Sequence, residues 1–207
     1  MNSNSDFEKD LAAIRQLMER SNRFISFSGL SGILAGVYAL AGFAVAFIRI
    51  PPTGGGAQYL AGDLEGSGAM MELVTIAGLV LLATLITGLW VTDRRAKRLG
   101  VKMLDEGGRR MLMNLAIPLC AGGAFALLLL TGGQYSLLAP ACLLFYGLAL
   151  VNASPNLFDE VRYLGYSEIV LGLIATALPG YGLYLWAAGF GVLHVIYGVL
   201  LFRKYEA

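Results

Sequence analysis

Two ionisable residues, Glu168 and His194, lie inside segments that are otherwise apolar, and His194 is the single histidine of the chain. A charged group inside a lipid bilayer is energetically unfavourable, so ionisable residues at such positions are candidates for function. A carboxylate beside an imidazole can also change its charge near neutral pH. The pair therefore points to proton-linked transport, a pH response or recognition of a small solute.

The spacing of this pair predicts that the two side chains meet. Glu168 follows Arg162 and His194 precedes Arg203, which puts them about 9 and 13 Å from the same membrane face at about 1.5 Å per helical residue. Between them, Pro179-Gly180 is a strong turn signal and predicts antiparallel neighbouring helices. Small residues flank both positions at helical spacing, as they do at helix–helix contacts in membranes.

Two hydroxyl residues at a similar predicted depth, Ser31 and Thr84, complete the candidate polar site. A structural interpretation competes with the functional one. In it, the carboxylate accepts a hydrogen bond from the imidazole, or from Tyr163 or Tyr166, and ties helices together. The sequence leaves both interpretations open.

The elements that position these residues follow from composition. Of 207 residues, 57% are hydrophobic and only 14% are charged, which is typical of a membrane protein. A span needs about 20 apolar residues. We expect one all-α domain over residues 24–203, with six transmembrane helices arranged as three helical hairpins. The predicted spans are residues 24–48, 70–92, 111–131, 135–151, 163–178 and 181–202.

Basic residues predict the orientation of these spans. Of 15 Lys and Arg residues, all but Arg49 fall on one side of the six-span arrangement. Cytoplasmic loops retain Lys and Arg, so we expect both termini in the cytoplasm and the chain in a bacterial inner membrane. Residues 1–23 read as a cytoplasmic amphipathic lead-in helix, and residues 204–207 as a cytoplasmic tail.

The second loop is a candidate surface for a lipid or a partner, and two interpretations stay open. It can anchor the chain through anionic lipid headgroups, or it can dock a cytosolic protein. Glycine faces on the first and last spans would also allow a homodimer. A net charge of +1 gives no reason to expect nucleic acid. The basic residues of this surface are Arg94, Arg95, Lys97, Arg98, Lys102, Arg109 and Arg110.

The last two spans carry a series of glycines around one turn signal: Gly172, Pro179-Gly180, Gly189, Gly191 and Gly198. With these residues they resemble the paired-helix repeat of the HdeD-like (acid-resistance) membrane proteins, which are bacterial six-helix proteins made of hairpins. The whole chain also resembles uncharacterised small bacterial inner-membrane proteins. These resemblances imply a helical-hairpin fold and supply no activity.

A catalytic interpretation starts from Gly29-Leu30-Ser31-Gly32, which resembles the GxSG motif of rhomboid intramembrane proteases. That resemblance would make Ser31 a nucleophile and His194 its base. The serine lies on the first span, however, and no second histidine or asparagine completes an oxyanion site, so we expect a packing role and no enzyme. One histidine without a carboxylate cluster cannot supply three or four ligands, so we expect no metal and no cofactor.

Overall fold

The structure is a computed structural model that describes residues 28–52, 68–100 and 106–206. The described residues form helices and no β-strand. The predicted lead-in helix of residues 1–23, the start of the first span and Lys102 lie outside the described residues. The helices are α1 (Gly29–Arg49), α2 (Ala69–Leu99), α3 (Glu106–Thr131), α4 (Leu138–Ala153), α5 (Asp159–Ala177) and α6 (Gly182–Tyr205).

Five of these helices are long and apolar enough to cross a membrane, which indicates a multi-pass membrane protein. They are α1, α2, α3, α4 with the short 3₁₀ turn before it, and α6. Helix α5, the counterpart of the predicted span 163–178, does not qualify. It begins with Asp159, Glu160 and Arg162 and carries Glu168 one turn and a half further on, which makes it more charged than the others.

Local sequence signals explain where several helices begin and end. The Ser28 side chain caps α1 by accepting a hydrogen bond from the amide of Leu30. Gly133 and Gly180 have positive φ values of 71° and 92° in the turns before α4 and α6. Only glycine adopts this conformation readily, so both turns can be tight. Helix α2 continues for two turns beyond residue 92, where the predicted span ends, and places Lys97 and Arg98 in its last turn.

Glycines allow two helix pairs to pack with their backbones nearly in contact. A Cβ at Gly198 of α6 would lie 2.9 Å from the carbonyl oxygen of Gly29 in α1. A Cβ at Gly165 of α5 would lie 2.8 Å from the carbonyl oxygen of Gly147 in α4. The most extensive contacts therefore join α4 with α5 and α1 with α6, and the contact between α5 and α6 is smaller.

This packing corrects the reason for expecting a homodimer. The glycine faces of the first and last spans, expected to be exposed, lie against each other within one chain. Gly36 of α1 contacts Val195 and the backbone of Gly191, and Gly32 lies against Gly198. Since these faces are occupied, they offer no free surface to a second copy, and the homodimer itself stays a prediction.

Charged residues separate between the two ends of the bundle. At one end, Ser28 of α1 lies beside Arg95 of α2 and Glu206, which follows α6. At the opposite end, Arg49 pairs with Glu72 across the α1–α2 hairpin. The described Lys and Arg residues other than Arg49 thus belong to the first end, which is called the basic end below.

Candidate functional site

Glu168 of α5 and His194 of α6 meet inside the bundle, as the sequence predicts. The Glu168 side chain is fully buried, and His194 is 6% exposed. Glu168 Oε1 lies 3.4 Å from His194 Nδ1. The predicted turn at Pro179-Gly180 brings the two helices back past each other and produces this contact.

The imidazole of His194 is held by two hydrogen bonds that define its tautomer. Its Nδ1 lies 3.0 Å from the carbonyl oxygen of Gly189, and a carbonyl can only accept, so Nδ1 carries a proton. Its Nε2 lies 2.7 Å from the hydroxyl of Tyr146 on α4. In the neutral ring, Nε2 has no proton and therefore accepts from Tyr146. We call Glu168, His194 and Tyr146 the polar cluster.

A π-helical section in α6 shapes this site. Residues Ala187–Leu193 are π-helical, and His194 follows directly. Such sections occur mainly as single turns and often at functional sites. Here the section directs the carbonyl of Gly189 at the imidazole, and Gly189 also lies against the carboxylate. A Cβ at this position would collide with Glu168 Oε2 and lie 2.6 Å from Leu143. A side chain at this position would therefore have to displace the ends of the Glu168 and Leu143 side chains.

The carboxylate of Glu168 is left without a hydrogen bond. Neither of its oxygens has a hydrogen-bond partner among the described residues, although His194 lies close. The imidazole can be close to Glu168 without donating to it, because the Nδ1 proton is directed at the Gly189 carbonyl. Buried polar groups normally have partners, and an unpaired one is energetically unfavourable. A residue that served only to join helices would use its oxygens for that purpose.

An aromatic stack extends from the polar cluster along α6. The ring centroids of His194 and Phe190 lie 5.8 Å apart, and those of Phe190 and Trp186 lie 5.3 Å apart. Tyr146 packs on both His194 and Phe190. Trp186 in turn lines a cavity at the end of the bundle opposite the basic end. Neither Glu168 nor His194 lines that cavity, so Phe190 and Trp186 stand between it and the polar cluster.

The two hydroxyl residues predicted for the site do not join it. Ser31 donates to the carbonyl oxygen of Ser28 at 2.6 Å, near the basic end of α1. Thr84 lies on α2, a helix that packs chiefly against α1. Neither hydroxyl is a hydrogen-bond partner of the carboxylate. Since Ser31 and His194 each bond to other groups, the two do not form a serine–histidine dyad here.

The alternative tyrosines are also excluded as partners. Tyr163 is 59% exposed and Tyr166 is 49% exposed, and their rings contact each other on the outer surface of α5. The phenol that does reach the imidazole, Tyr146, was missed by the sequence analysis. The sequence feature that could have revealed Tyr146 is its hydroxyl, which stands alone within an apolar segment, between Leu143-Leu144-Phe145 and Leu148.

The basic residues predicted as a lipid or partner surface differ in their contacts and in their exposure. Arg95 pairs with Glu206 at 2.6 Å, and Lys97 pairs with Asp93 at 2.6 Å. The guanidinium of Arg94 lies 3.9 Å from the Trp90 ring centroid. Arg98, Arg109 and Arg110 have exposed side chains. The residue most deeply engaged, Arg95, is therefore structural and not part of an open surface.

Lys204 and Tyr205 at the end of α6, with Glu206 directly after it, form a second cluster at the basic end, which we call the C-terminal ion-pair cluster. Lys204 donates to Glu160 at 2.6 Å, and Tyr205 stacks on Phe158. Partial burial acts to raise the pKa of Glu160. Hydrogen bonds from Lys204 and from its own backbone amide outweigh this effect and hold the pKa below its usual range. This cluster fastens α6 to the start of α5.

The arrangement as a whole defines a multi-pass helical membrane protein with a buried cluster of a carboxyl, an imidazole and a phenol. Within the described part of the chain, no group of three or more His, Cys, Asp or Glu side chains could hold a metal ion. No protein-family model, no curated protein and no solved structure matches the chain. Its function has therefore to be argued from the polar cluster itself.

Proposed function

We propose that this protein is a proton-responsive membrane protein of the bacterial inner membrane, in which Glu168 binds and releases a proton beside His194. One observation carries the proposal. The Glu168 carboxylate is fully buried, has no hydrogen-bond partner in the part of the chain that the structure describes, and lies 3.4 Å from the imidazole. Ionisable groups in this setting are found at proton relays and pH sensors.

The chemistry of the response follows from the groups around the carboxyl. Among the described residues, the titratable groups facing it are His194 on α6 and Tyr146 on α4. An ionised Glu168 attracts a protonated imidazole strongly at low dielectric, whereas a neutral carboxylic acid does not. Proton uptake or release therefore changes the attraction between α5 and α6, and Tyr146 transmits the change to α4.

A pH response is better supported than transport of a solute through this site. Transport would need the polar cluster to reach an aqueous path or a cavity. The cavity near Trp186 is lined by neither Glu168 nor His194, and Phe190 stacks between Trp186 and the imidazole. A proton can reach a buried carboxyl through small fluctuations, but a larger solute cannot.

The proposal includes an orientation with the basic end in the cytoplasm. The clustering of described Lys and Arg residues at the end opposite Arg49 supports it, because cytoplasmic segments retain basic residues. On this orientation both Ser28 and Glu206 lie at the cytoplasmic side.

The experiment is infrared difference spectroscopy of the protein in lipid vesicles across a pH titration. A buried carboxylic acid has a C=O absorption that disappears when the acid ionises. We expect one such band to titrate in the wild type and to be absent in Glu168→Gln. Glu160→Gln is the matched control, since Glu160 lies on the same helix outside the apolar segment. A band that does not change with pH while the protein stays folded would overturn the proposal.

A second function, binding of anionic lipid headgroups at the basic end, is favoured by the exposed side chains of Arg98 and Arg109. Native mass spectrometry of protein released from vesicles of phosphatidylglycerol and phosphatidylcholine can test it. We expect Arg98→Gln with Arg109→Gln to retain less phosphatidylglycerol than the wild type. The control is Arg49→Gln, at the opposite end. Equal retention by all three proteins would exclude a headgroup site there and leave the docking of a cytosolic protein as the remaining prediction.

A further inference from the structure

A cavity of about 720 Å³ lies at the end of the bundle away from the basic residues. It is bounded by α1 and α2 on one side and by α3, α4 and α6 on the other. Its size falls within the range of sites for small organic ligands, about 300–1,000 Å³. The proposed proton response makes no use of this cavity.

The chemistry of the walls changes along the cavity. The deeper part is apolar and includes Phe43, Ala126 and Trp186. The rim carries the polar side chains of Gln134 and Ser136, which are exposed in the turn before α4. Among the described residues, no Lys, Arg, Asp or Glu lines the cavity. A ligand suited to these walls therefore has a long apolar part, and its polar end stays at the membrane surface.

The cavity also opens towards the membrane. Helix α2 packs chiefly on α1 and α3 packs chiefly on α4, so α2 and α3 leave a gap between them. Val74 and Leu127 line the cavity from these two helices and are 37% and 63% exposed. In a bilayer, apolar side chains at such a gap face hydrocarbon, and lipid can enter without crossing water.

We propose that this cavity holds one acyl chain of a bilayer phospholipid, which enters between α2 and α3. The apolar depth, the polar rim at headgroup level and the gap towards lipid all favour this occupant. The described lining residues include no basic side chain that would hold the carboxylate of a free fatty acid. The proposal stands independently of proton binding at Glu168.

The two tryptophans of the chain provide the test. Trp186 lines the cavity, whereas Trp90 is 53% exposed on α2 and lies outside it. Trp90→Phe therefore leaves a single reporter inside the cavity, and Trp186→Phe leaves a single reporter on the outer surface. Both proteins are placed in vesicles of phosphatidylcholine with brominated or ordinary acyl chains, since bromine quenches tryptophan fluorescence on contact.

The quenching is then compared with that of a variant whose cavity is filled by an added side chain. A Cβ at Gly123, which lines the cavity, would meet nothing within 4 Å, so Gly123→Phe can occupy the space without displacing the backbone. Gly78 on α2 is equally open and does not line the cavity, so Gly78→Phe is the matched control. Each substitution is made in both single-tryptophan proteins.

We expect brominated chains to quench the fluorescence of Trp186. Gly123→Phe should reduce this quenching by roughly twofold or more, because a ligand enclosed by its pocket is displaced when a side chain fills the pocket. Gly78→Phe should leave it unchanged, and neither substitution should alter the quenching of Trp90. If Trp186 is not quenched, or if Gly123→Phe and Gly78→Phe act alike, no acyl chain occupies the cavity and the proposal is wrong. Glu168→Gln should leave all these values unchanged, so the outcome does not depend on the proposed proton site.

Discussion

The carboxylate of Glu206 lies 2.6 Å from the guanidinium of Arg95 and also accepts hydrogen bonds from Ser28 and the amide of Gly29. One side chain thus joins the end of α6, the end of α2 and the first turn of α1. The amides at a helix N-terminus favour a negative charge, so Glu206 stabilises α1 as well as pairing with Arg95.

Breaking this contact should destabilise the bundle. The two side chains are only 17% and 12% exposed, so removal of either leaves a poorly solvated charge. In a double-mutant cycle of Arg95→Met and Glu206→Gln, we expect a coupling energy of about 2 kcal/mol from unfolding in detergent. The exposed pair Lys97–Asp93 is the control and should give about 0.5 kcal/mol or less. Equal coupling energies for the two pairs would contradict the assigned role of Glu206.

A side chain at Gly189 should destabilise the protein while Glu168 is present. Gly189→Ala would place a methyl group against the carboxylate and Leu143, and overpacking of this kind destabilises proteins by about 1–3 kcal/mol. In a Glu168→Ala background the loss should be smaller, because only the flexible end of Leu143 remains in the way. Thermal unfolding of the four proteins measures this, with Gly123→Ala as a control in open space. Strictly additive effects would mean that Gly189 and Glu168 do not touch.

The imidazole should carry its proton on Nδ1 when neutral. Since the chain has one histidine, ¹⁵N-histidine labelling gives a single pair of ring resonances, and only Nδ1 and Nε2 have to be distinguished, by their couplings to the ring carbon-bound protons. We expect the Nδ1–H tautomer, because Nδ1 faces the Gly189 carbonyl and Nε2 faces Tyr146. Tyr146→Phe should shift the Nε2 resonance and lower stability by about 1 kcal/mol, the usual contribution of one hydrogen bond. Detection of the Nε2–H tautomer in the wild type would invalidate the hydrogen-bond assignment.

Acid should weaken the contact between Glu160 and Lys204. The pKa of Glu160 is lowered in the folded protein, so its stabilising effect is complete above its unfolded value, about 4.3. That effect is lost as the pH falls through the lower folded value. We expect the melting temperature of Glu160→Gln to fall less steeply below that pH than the wild type does. Lys204→Met should flatten the same part of the profile, and an unchanged slope in both variants would count against the ion pair.

The sequence was sufficient to predict the contact between Glu168 and His194, because nearby residues indicate the depth of each side chain and the pairing of their two helices. The turn at Pro179-Gly180 set the helices antiparallel, and the distances to Arg162 and Arg203 set the heights. The all-helical class was equally accessible, since long apolar segments require backbone hydrogen bonds within each segment. The count of six spans stays a prediction, because the charged residues of α5 leave five helices that qualify by length and composition. Helix α2 extends beyond the predicted span because a helix can continue past the apolar segment into its basic residues.

Other features depend on interactions that no local pattern encodes. The partnership of Tyr146 with His194 arises because α4 packs on α5 through Gly147 and Gly165, and glycine spacing alone does not say which helices pair. The π-helical section Ala187–Leu193 differs from an α-helix in its hydrogen-bond register. An apolar sequence is compatible with both registers, so it does not predict which one forms. Ser31 was assigned to the polar site by depth, yet depth does not fix the direction a side chain takes.

The backbone contact between Gly29 of α1 and Gly198 of α6 has a consequence for the timing of biosynthesis. On the order of a hundred residues separate these helices, and a chain is made at roughly 5–20 residues per second. During that interval the glycine face of α1 has only lipid, or the insertion machinery, beside it. The bundle therefore closes late, after α6 has emerged from the ribosome, and a translation arrest before α6 would leave an inserted but open intermediate exposed to membrane proteases.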